Sequence, residues 1–466
     1  MAQEKLGKQH ILDGPVYRVL FAVSIPLMIN NLINSFYNLA DGLWVAQLSL
    51  VEFSATSFVW PPHYLFVSLG IGIAIAGTAI MAQLIGGGDR ERAESYATHV
   101  FYFCLFFGVL FSVFGTLLAG DIVRWMGAEG ELLVHSTTYL RIMMIGLFFE
   151  MFYFSFYAIL SAQGKTKVST VISASSAVLN VILDPFFIFE RVPLLNVPGL
   201  GWGIAGAAWA TVLSQVMRVV FGAIAIRSQH NEIRLRIVGV KLTWKQFGEL
   251  VRMGLPTALG QGSAALGFTL LNSVIAAFGD ATIAAFAAVN RIGGFVMQPL
   301  SAIGGALTPI VGQNMGAKQF DRVKKFNRAG FRVVLGMSII GGLILWFVRY
   351  PILSVFIREQ GAMADEVWRM AIDYMFFNVV MTPFMGYFGA FTGIFSGAGY
   401  PRYAAYMSVL RLWGIRLPMI YLFKRFTGLA EYGIWVSMLA SNIIIDLFAL
   451  WLYKRGKWFT EPQTEH

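Results

Sequence analysis

Twelve long stretches of this chain carry very little charge, and no other feature restricts its folding as tightly. A helix that spans a bilayer needs roughly 17–25 predominantly apolar residues. Runs of that kind lie near 16–41, 55–84, 97–118, 133–161, 168–189 and 201–226. Six more lie near 247–278, 283–311, 331–347, 367–395, 403–423 and 432–453. Only 13% of the 466 residues are charged, against about 25% in an ordinary soluble domain. A chain of this length has too few charges for a polar shell, so much of its surface must face lipid. The expected fold is an all-α integral membrane protein with twelve transmembrane helices.

The formal charge of +10 does not point to nucleic acid, because the basic residues sit in short loops between apolar runs. One side receives Lys5, Lys8, Arg90, Arg92, Lys165 and Lys167, the cluster from Arg227 to Lys245, the cluster from Lys318 to Arg328, and Arg402, Lys454, Arg455 and Lys457. The other side receives Arg124, Arg191, Arg349, Arg358, Lys424 and Arg425. An imbalance of roughly three to one places both termini in the cytoplasm of a cell-membrane protein. The first run, interrupted by Pro26, continues far beyond a signal-peptide core and reads as a retained span. Cys104 is the single cysteine, which excludes an internal disulfide and any multi-cysteine metal site.

The chain also repeats itself. Pro26 and Pro256, Gln83 and Gln313, Gly86 and Gly316, and Arg92 and Arg322 are each 230 positions apart. Ile80-Met-Ala-Gln-Leu-Ile-Gly86 matches Ile310-Val-Gly-Gln-Asn-Met-Gly316, and Ile159-Leu-Ser-Ala-Gln-Gly164 matches Ile394-Phe-Ser-Gly-Ala-Gly399. Shared apolar composition does not explain a constant offset of polar and turn residues, so duplication is the better account. The expected organisation is an N-terminal six-helix lobe over 1–226, a basic cytoplasmic linker over 227–246 and a C-terminal six-helix lobe over 247–466. Both lobes enter from the same side, which relates them by a pseudo-two-fold axis along the membrane normal.

Polar residues inside the bilayer cost several kcal/mol and usually face a cavity or a partner. Asn34, Asn38 and Asp41 recur on one face of the first span, with Tyr37 alongside. Asn180 and Asp184 share a face of the fifth, and Pro185 frees a backbone carbonyl in the preceding turn. Carboxylate, amide and carbonyl oxygens suit a proton or a small hard cation. Both spans run outward, which carries both acids to the outer half of one lobe. Two acids held there, away from water, could exchange protons near physiological pH. The same pattern also admits Asp41 as a loop residue and Asp184 as a helix-end residue in headgroup water. Glu150 with Arg218, and Arg411 with Asp446, match in depth and read as structural ion pairs. Arg291 and Arg416 have no evident acidic partner, and Arg291 is a candidate for cavity lining. Histidines 10, 63, 99, 135, 230 and 466 have no zinc spacing, and no GxxxxGK[ST] motif is present. No enzyme, metal site or cofactor is expected. The glycines of Gly70-Ile-Gly-Ile-Ala-Ile-Ala-Gly77 read as close helix packing.

Asn38-Leu-Ala-Asp-Gly-Leu-Trp-Val45, Asn180-Val-Ile-Leu-Asp-Pro-Phe-Phe-Ile188 and Ile204-Ala-Gly-Ala-Ala-Trp-Ala-Thr211 resemble motifs of the multidrug and toxic compound extrusion (MATE) family. The resemblance covers nearly the whole chain. It implies a V-shaped pair of six-helix bundles that exchanges H⁺ or Na⁺ for amphipathic, often cationic, organic compounds by alternating access, as antibiotic-resistance exporters do. It further implies that Asp41 is the coupling carboxylate, with Asn180, Asp184 and Thr211 around it. Tyr37 and Tyr157 would line the adjoining cavity by the same match, and Asn34 and Asn38, on the polar face of the first span, are candidates for the same cavity. One branch of the family carries a glutamate in the seventh span. Residues 251–278 contain no acid here, and Gln261 and Asn272 are their notable polar residues. The chain therefore resembles the prokaryotic DinF-like branch, with coupling in the N-terminal lobe; Asp373 is a second-ranked acid in the other. The expected partners are small organic substrates and membrane lipids, acting on a monomer. A lipid or lipid-linked oligosaccharide flippase is the alternative function, favoured by Arg291, Arg411 and Arg416; a receptor without flux is a third.

Overall fold

Each apolar run closes its backbone hydrogen bonds within itself, as the bilayer interior requires. The computed structural model describes residues 8–193, 195–229, 231–237, 239–357, 361–429 and 431–459. Lys5, Arg358, His230 and His466, and the side chains of Lys8 and His10, lie outside the described residues. The spans are α1 (Val16–Val45), α2 (Leu50–Gly87), α3 (Arg90–Trp125), α4 (Gly130–Ala162), α5 (Thr166–Ile188) and α6 (Gly203–Ile226). The second six are α7 (Trp244–Ala276), α8 (Asp280–Gly316), α9 (Phe320–Phe347), α10 (Ala362–Gly397), α11 and α12 (Tyr432–Arg455). Helix α11 is composite: an α segment Pro401–Val409, a π segment Leu410–Arg416 and an α segment Leu417–Phe426. The other eleven are long and apolar enough to cross a membrane without interruption. The expected eleventh span is thus present, with a wide π turn at its centre.

Sequence-coded caps set several boundaries. Ser49 caps α2 by accepting from the Glu52 N–H while its hydroxyl donates to the Glu52 carboxylate, and Asp89 accepts from the Arg92 N–H at the start of α3. Thr243 caps α7 through the Gln246 N–H. Gly88 ends α2 at φ 84°, in the left-handed region that glycine adopts freely.

The two lobes meet with the symmetry of the repeat. Gln83 Nε2 donates to the Gly397 carbonyl at 2.8 Å, and Gln313 Nε2 donates to the Ala162 carbonyl at 2.7 Å. Gln83 and Gln313 are repeat-equivalent, and so are Ala162 and Gly397. Each glutamine therefore crosses to the other lobe and takes the same carbonyl there. Gly86 lies against the Gln313 backbone and Gly316 against the Gln83 backbone, so close that a Cβ at either position would strike a carbonyl. Gly72 likewise packs on the Gly254 carbonyl and Ala258, the close packing expected of that glycine-rich run. These contacts clasp the lobes at the end of the bundle where the basic loops lie.

Helix α1 belongs to both halves. Its inner residues Val19, Leu20, Val23 and Leu27 are buried with Ile303, Leu307 and Ile310 of α8, Phe326 of α9 and Ile394 of α10. The Thr166 and Thr170 hydroxyls of α5 donate to the Val23 and Pro26 carbonyls, each at 2.8 Å. Beyond Pro26, Asn31 donates to the Gln298 carbonyl and to Ser301 Oγ of α8, both at 3.1 Å. The outer end then joins the N-terminal lobe, where Val45 is buried with Val59, Leu140 and Ile188.

Candidate cation site and inter-lobe cavity

The outer end of α1 brings Asp41 beside Asp184 of α5, with the two carboxyl groups within hydrogen-bonding reach of one another. Asp184 is 0% exposed and Asn180 1%. Neither Asp184 oxygen, nor Asp41 Oδ1, receives a hydrogen bond from a described N–H or O–H donor. Asn180 stands beside Asp184, but its amide nitrogen donates to Thr211 Oγ1 of α6 at 3.4 Å, leaving the Asn180 carbonyl oxygen unpartnered. Tyr37 lies beside Thr211. Asp41, Asp184, Asn180 and Thr211 thus come together as one cluster, poor in donors and rich in oxygens. Such a cluster is stabilised by what supplies positive charge between the oxygens, a proton or a small hard cation. Tyr139 of α4, buried within the electrostatic reach of both acids, was not legible as a site residue. Its ring sits in an apolar run where tyrosine carries no special signal.

A cavity of about 470 Å³ reaches this cluster within the N-terminal lobe, lined among others by Asn34, Tyr37, Asn38, Tyr157, Asn180 and Thr211. Glu150, Arg218, His63 and Gln215 line it as well. The expected Glu150–Arg218 ion pair is not formed. Glu150 instead accepts from Gln215 Nε2 at 3.5 Å, and Arg218 lies over the Tyr153 ring at 5.4 Å. Matching depth along two helices does not fix which way each side chain turns about its own axis, and here both turn toward the cavity.

A second cavity of about 710 Å³ lies between the lobes and shares Asn34, Ile71, Phe154 and Tyr157 with the first. Gln261 lines it, as expected for α7. Asn272 and Arg291 are exposed and line neither cavity; Asn272 shares the helix face of Gln261 and Phe268 but lies one turn further along α7 than the last lining residue. The Arg411–Asp446 ion pair is also absent. Arg411 makes no hydrogen bond or ion pair among the described residues, and neither Asp446 oxygen has a partner. Arg416, 2% exposed, is satisfied by neutral groups: Ser441 Oγ at 3.0 Å and Asn442 Oδ1 at 3.1 Å. Asp373 takes a hydrogen bond from Tyr432 at 2.5 Å and lies 3.9 Å from Arg369. It is therefore a surface-partnered acid, and the buried acid of the C-terminal lobe is Asp446.

Two duplicated helical lobes, clasped at one end around polar cavities, define a multi-pass membrane transporter. The MatE family model matches residues 26–186 and 256–422. Those segments cover more than two thirds of the chain and begin at the two repeat-related prolines. The chain belongs to the MatE family. It is 25% identical over 464 residues to the probable multidrug resistance protein YoeA of Bacillus subtilis, across 98% of this chain and 97% of that one. It is 22% identical over 435 residues to the multidrug export protein MepA of Staphylococcus aureus, across 92% of each. Among solved structures, an outward-facing multidrug resistance MATE transporter of the MOP superfamily superposes with a TM-score of 0.88 at 23% identity, over 96% of this chain and 97% of that one. A MOP superfamily transporter from Pyrococcus furiosus, described by the reverse polarity of its binding pocket, gives 0.89 at 23% identity, over 96% and 97%. At that identity these structures speak to the fold.

Proposed function

We propose that this protein is a secondary active exporter that moves amphipathic organic compounds out of the cell in exchange for H⁺ or Na⁺. The observation that carries the reading is the Asp41–Asp184 contact at the outer end of α1, a helix whose inner end is packed into the opposite lobe. Two carboxylates side by side in an apolar bundle repel one another unless a proton or cation lies between them. Filling and emptying that position changes how firmly the end of α1 is held to α5. Because Pro26 removes one backbone hydrogen bond from α1, the helix can rebend there, and the change is passed to the inter-lobe cavity.

In this scheme the conformer clasped at the basic end is the outward-facing one. Cation uptake at Asp41 and Asp184 displaces the compound outward, and cation release to the cytoplasm readies the cavity for reloading. The 1–226 and 247–466 lobes act as the moving bodies of a monomer in the cell membrane, with both termini cytoplasmic. The names of the curated relatives, multidrug resistance and multidrug export, agree with this substrate class. A lipid flippase would call for a strongly basic cavity. Of the three arginines that would supply one, Arg291 lies outside both cavities and Arg416 is sealed against α12, so Arg411 stands alone.

Asp41→Asn tests the assignment. Cells expressing it should accumulate a fluorescent organic cation as fast as cells without the transporter, while the variant reaches the membrane in normal amount. Wild-type efflux by that variant would remove Asp41 from the mechanism.

A further inference from the structure

The inter-lobe cavity contains one charge. Among the described residues that line it, Arg411 is the only ionisable acid or base apart from tyrosine. It is 8% exposed, and its Nε is buried without a partner. The guanidinium lies over the Phe388 ring, 4.0 Å from its centroid, and Phe388 lines the same cavity. Stacking on an aromatic face leaves the edge of the guanidinium, with its N–H fork, free for an acceptor.

The one acid nearby does not use that fork. Asp446, also 8% exposed, has both oxygens without a partner and lies beyond the 4.0 Å of an ion pair. Arg416, five positions along the π segment, adds a second buried positive charge behind the first, held by neutral Ser441 and Asn442. The C-terminal wall therefore carries two cations against one anion. The N-terminal cavity is lined by Glu150 and Arg218, and the acids Asp41 and Asp184 lie past its Asn180 and Thr211 lining, so acids outnumber the one arginine on that side. The two cavities adjoin through Asn34 and Tyr157.

We propose that Arg411 is an anion-receiving subsite, which takes the carboxylate of an amphoteric aromatic compound whose cationic end lies toward the N-terminal lobe. The inference rests on the exporter reading and names a substrate class within it. A carboxylate matches a single guanidinium fork in shape and charge. A phosphate would call for further donors, and Arg416 is already committed to Ser441 and Asn442. A cavity of about 710 Å³ is of the size that encloses drug-sized ligands.

Tetramethylrhodamine and its methyl ester differ only in whether the carboxylate is free, and both fluoresce. Their affinities for the purified full-length protein can be read by fluorescence anisotropy. In Arg411→Gln the acid-to-ester affinity ratio should fall about tenfold or more, the scale of a lost charge-assisted hydrogen bond. Arg411→Lys, which keeps the charge without the fork, should give an intermediate ratio. Damage to the fold weakens both dyes together and leaves the ratio unchanged. An unchanged ratio in Arg411→Gln, with the ester still bound, overturns the subsite and leaves the exporter reading standing. Failure of wild type to bind either dye counts against the exporter reading itself, and the subsite falls with it.

Discussion

Asp184 is wholly enclosed, yet no described N–H or O–H satisfies either of its oxygens. A buried acid left in that state costs stability, which marks the position as one held for work rather than for packing. Asp184→Asn should melt at or above the wild-type temperature in the same detergent, because an amide brings its own donors and no charge. It should also lose cation-driven transport. A lower melting temperature combined with retained transport would mean that Asp184 serves the fold instead. At this scale Asp41, Asn180 and Asp184 were legible as polar side chains that break apolar runs, Thr211 came from the family resemblance alone, and the four do converge. The sequence was not legible where the answer depended on rotation about a helix axis. Glu150 and Arg218 matched in depth but face a cavity, and Arg291 lines neither cavity.

At the scale of elements, α1 and the reciprocal clasp divide the labour. The inner half of α1 is buried in the C-terminal lobe and its outer end carries Asp41, so one helix touches both the proposed cation site and the interface between the lobes. The clasp holds the basic end shut through two cross-lobe hydrogen bonds from Gln83 and Gln313. Each bond has a net worth of about 0.5–1.5 kcal/mol, enough together to bias two conformers differing by a few kcal/mol. The double substitution Gln83→Leu with Gln313→Leu should therefore raise the population open at that end. With Cys104 replaced and a cysteine placed at Ser161, which lines the inter-lobe cavity, a charged maleimide added from the side of the basic loops should label it severalfold faster. An unchanged or slower rate would show that the clasp does not set the equilibrium. The repeat in the sequence already paired these glutamines and glycines by their constant offset. The same offset could not say that each glutamine would meet the glycine of the other repeat, since that depends on where the symmetry axis falls. The π segment of α11 was likewise hidden: Gly414 and Pro418 mark a weak point there, but other spans carry glycine and proline without leaving the α-helical form.

For the whole molecule, the architecture was the most legible level. Twelve apolar runs, a loop-charge bias and a 230-residue repeat already implied two six-helix lobes about a common axis. Lipid burial imposes that periodicity on every segment, so the signal accumulates along the chain. Transport direction and the identity of the ion do not accumulate in this way. In the proposed mechanism they depend on a few oxygens in the N-terminal lobe and on the charge placed opposite them. A transporter built so should convert a cation gradient into compound movement only while Asp41 can gain and lose its charge.

The most direct measurement uses proteoliposomes loaded with a fluorescent organic cation, with pH and sodium gradients imposed separately on wild type and Asp41→Asn. Wild type should move the dye against its gradient under at least one of the two, and Asp41→Asn under neither. Equal, gradient-driven transport by both proteins would contradict the account.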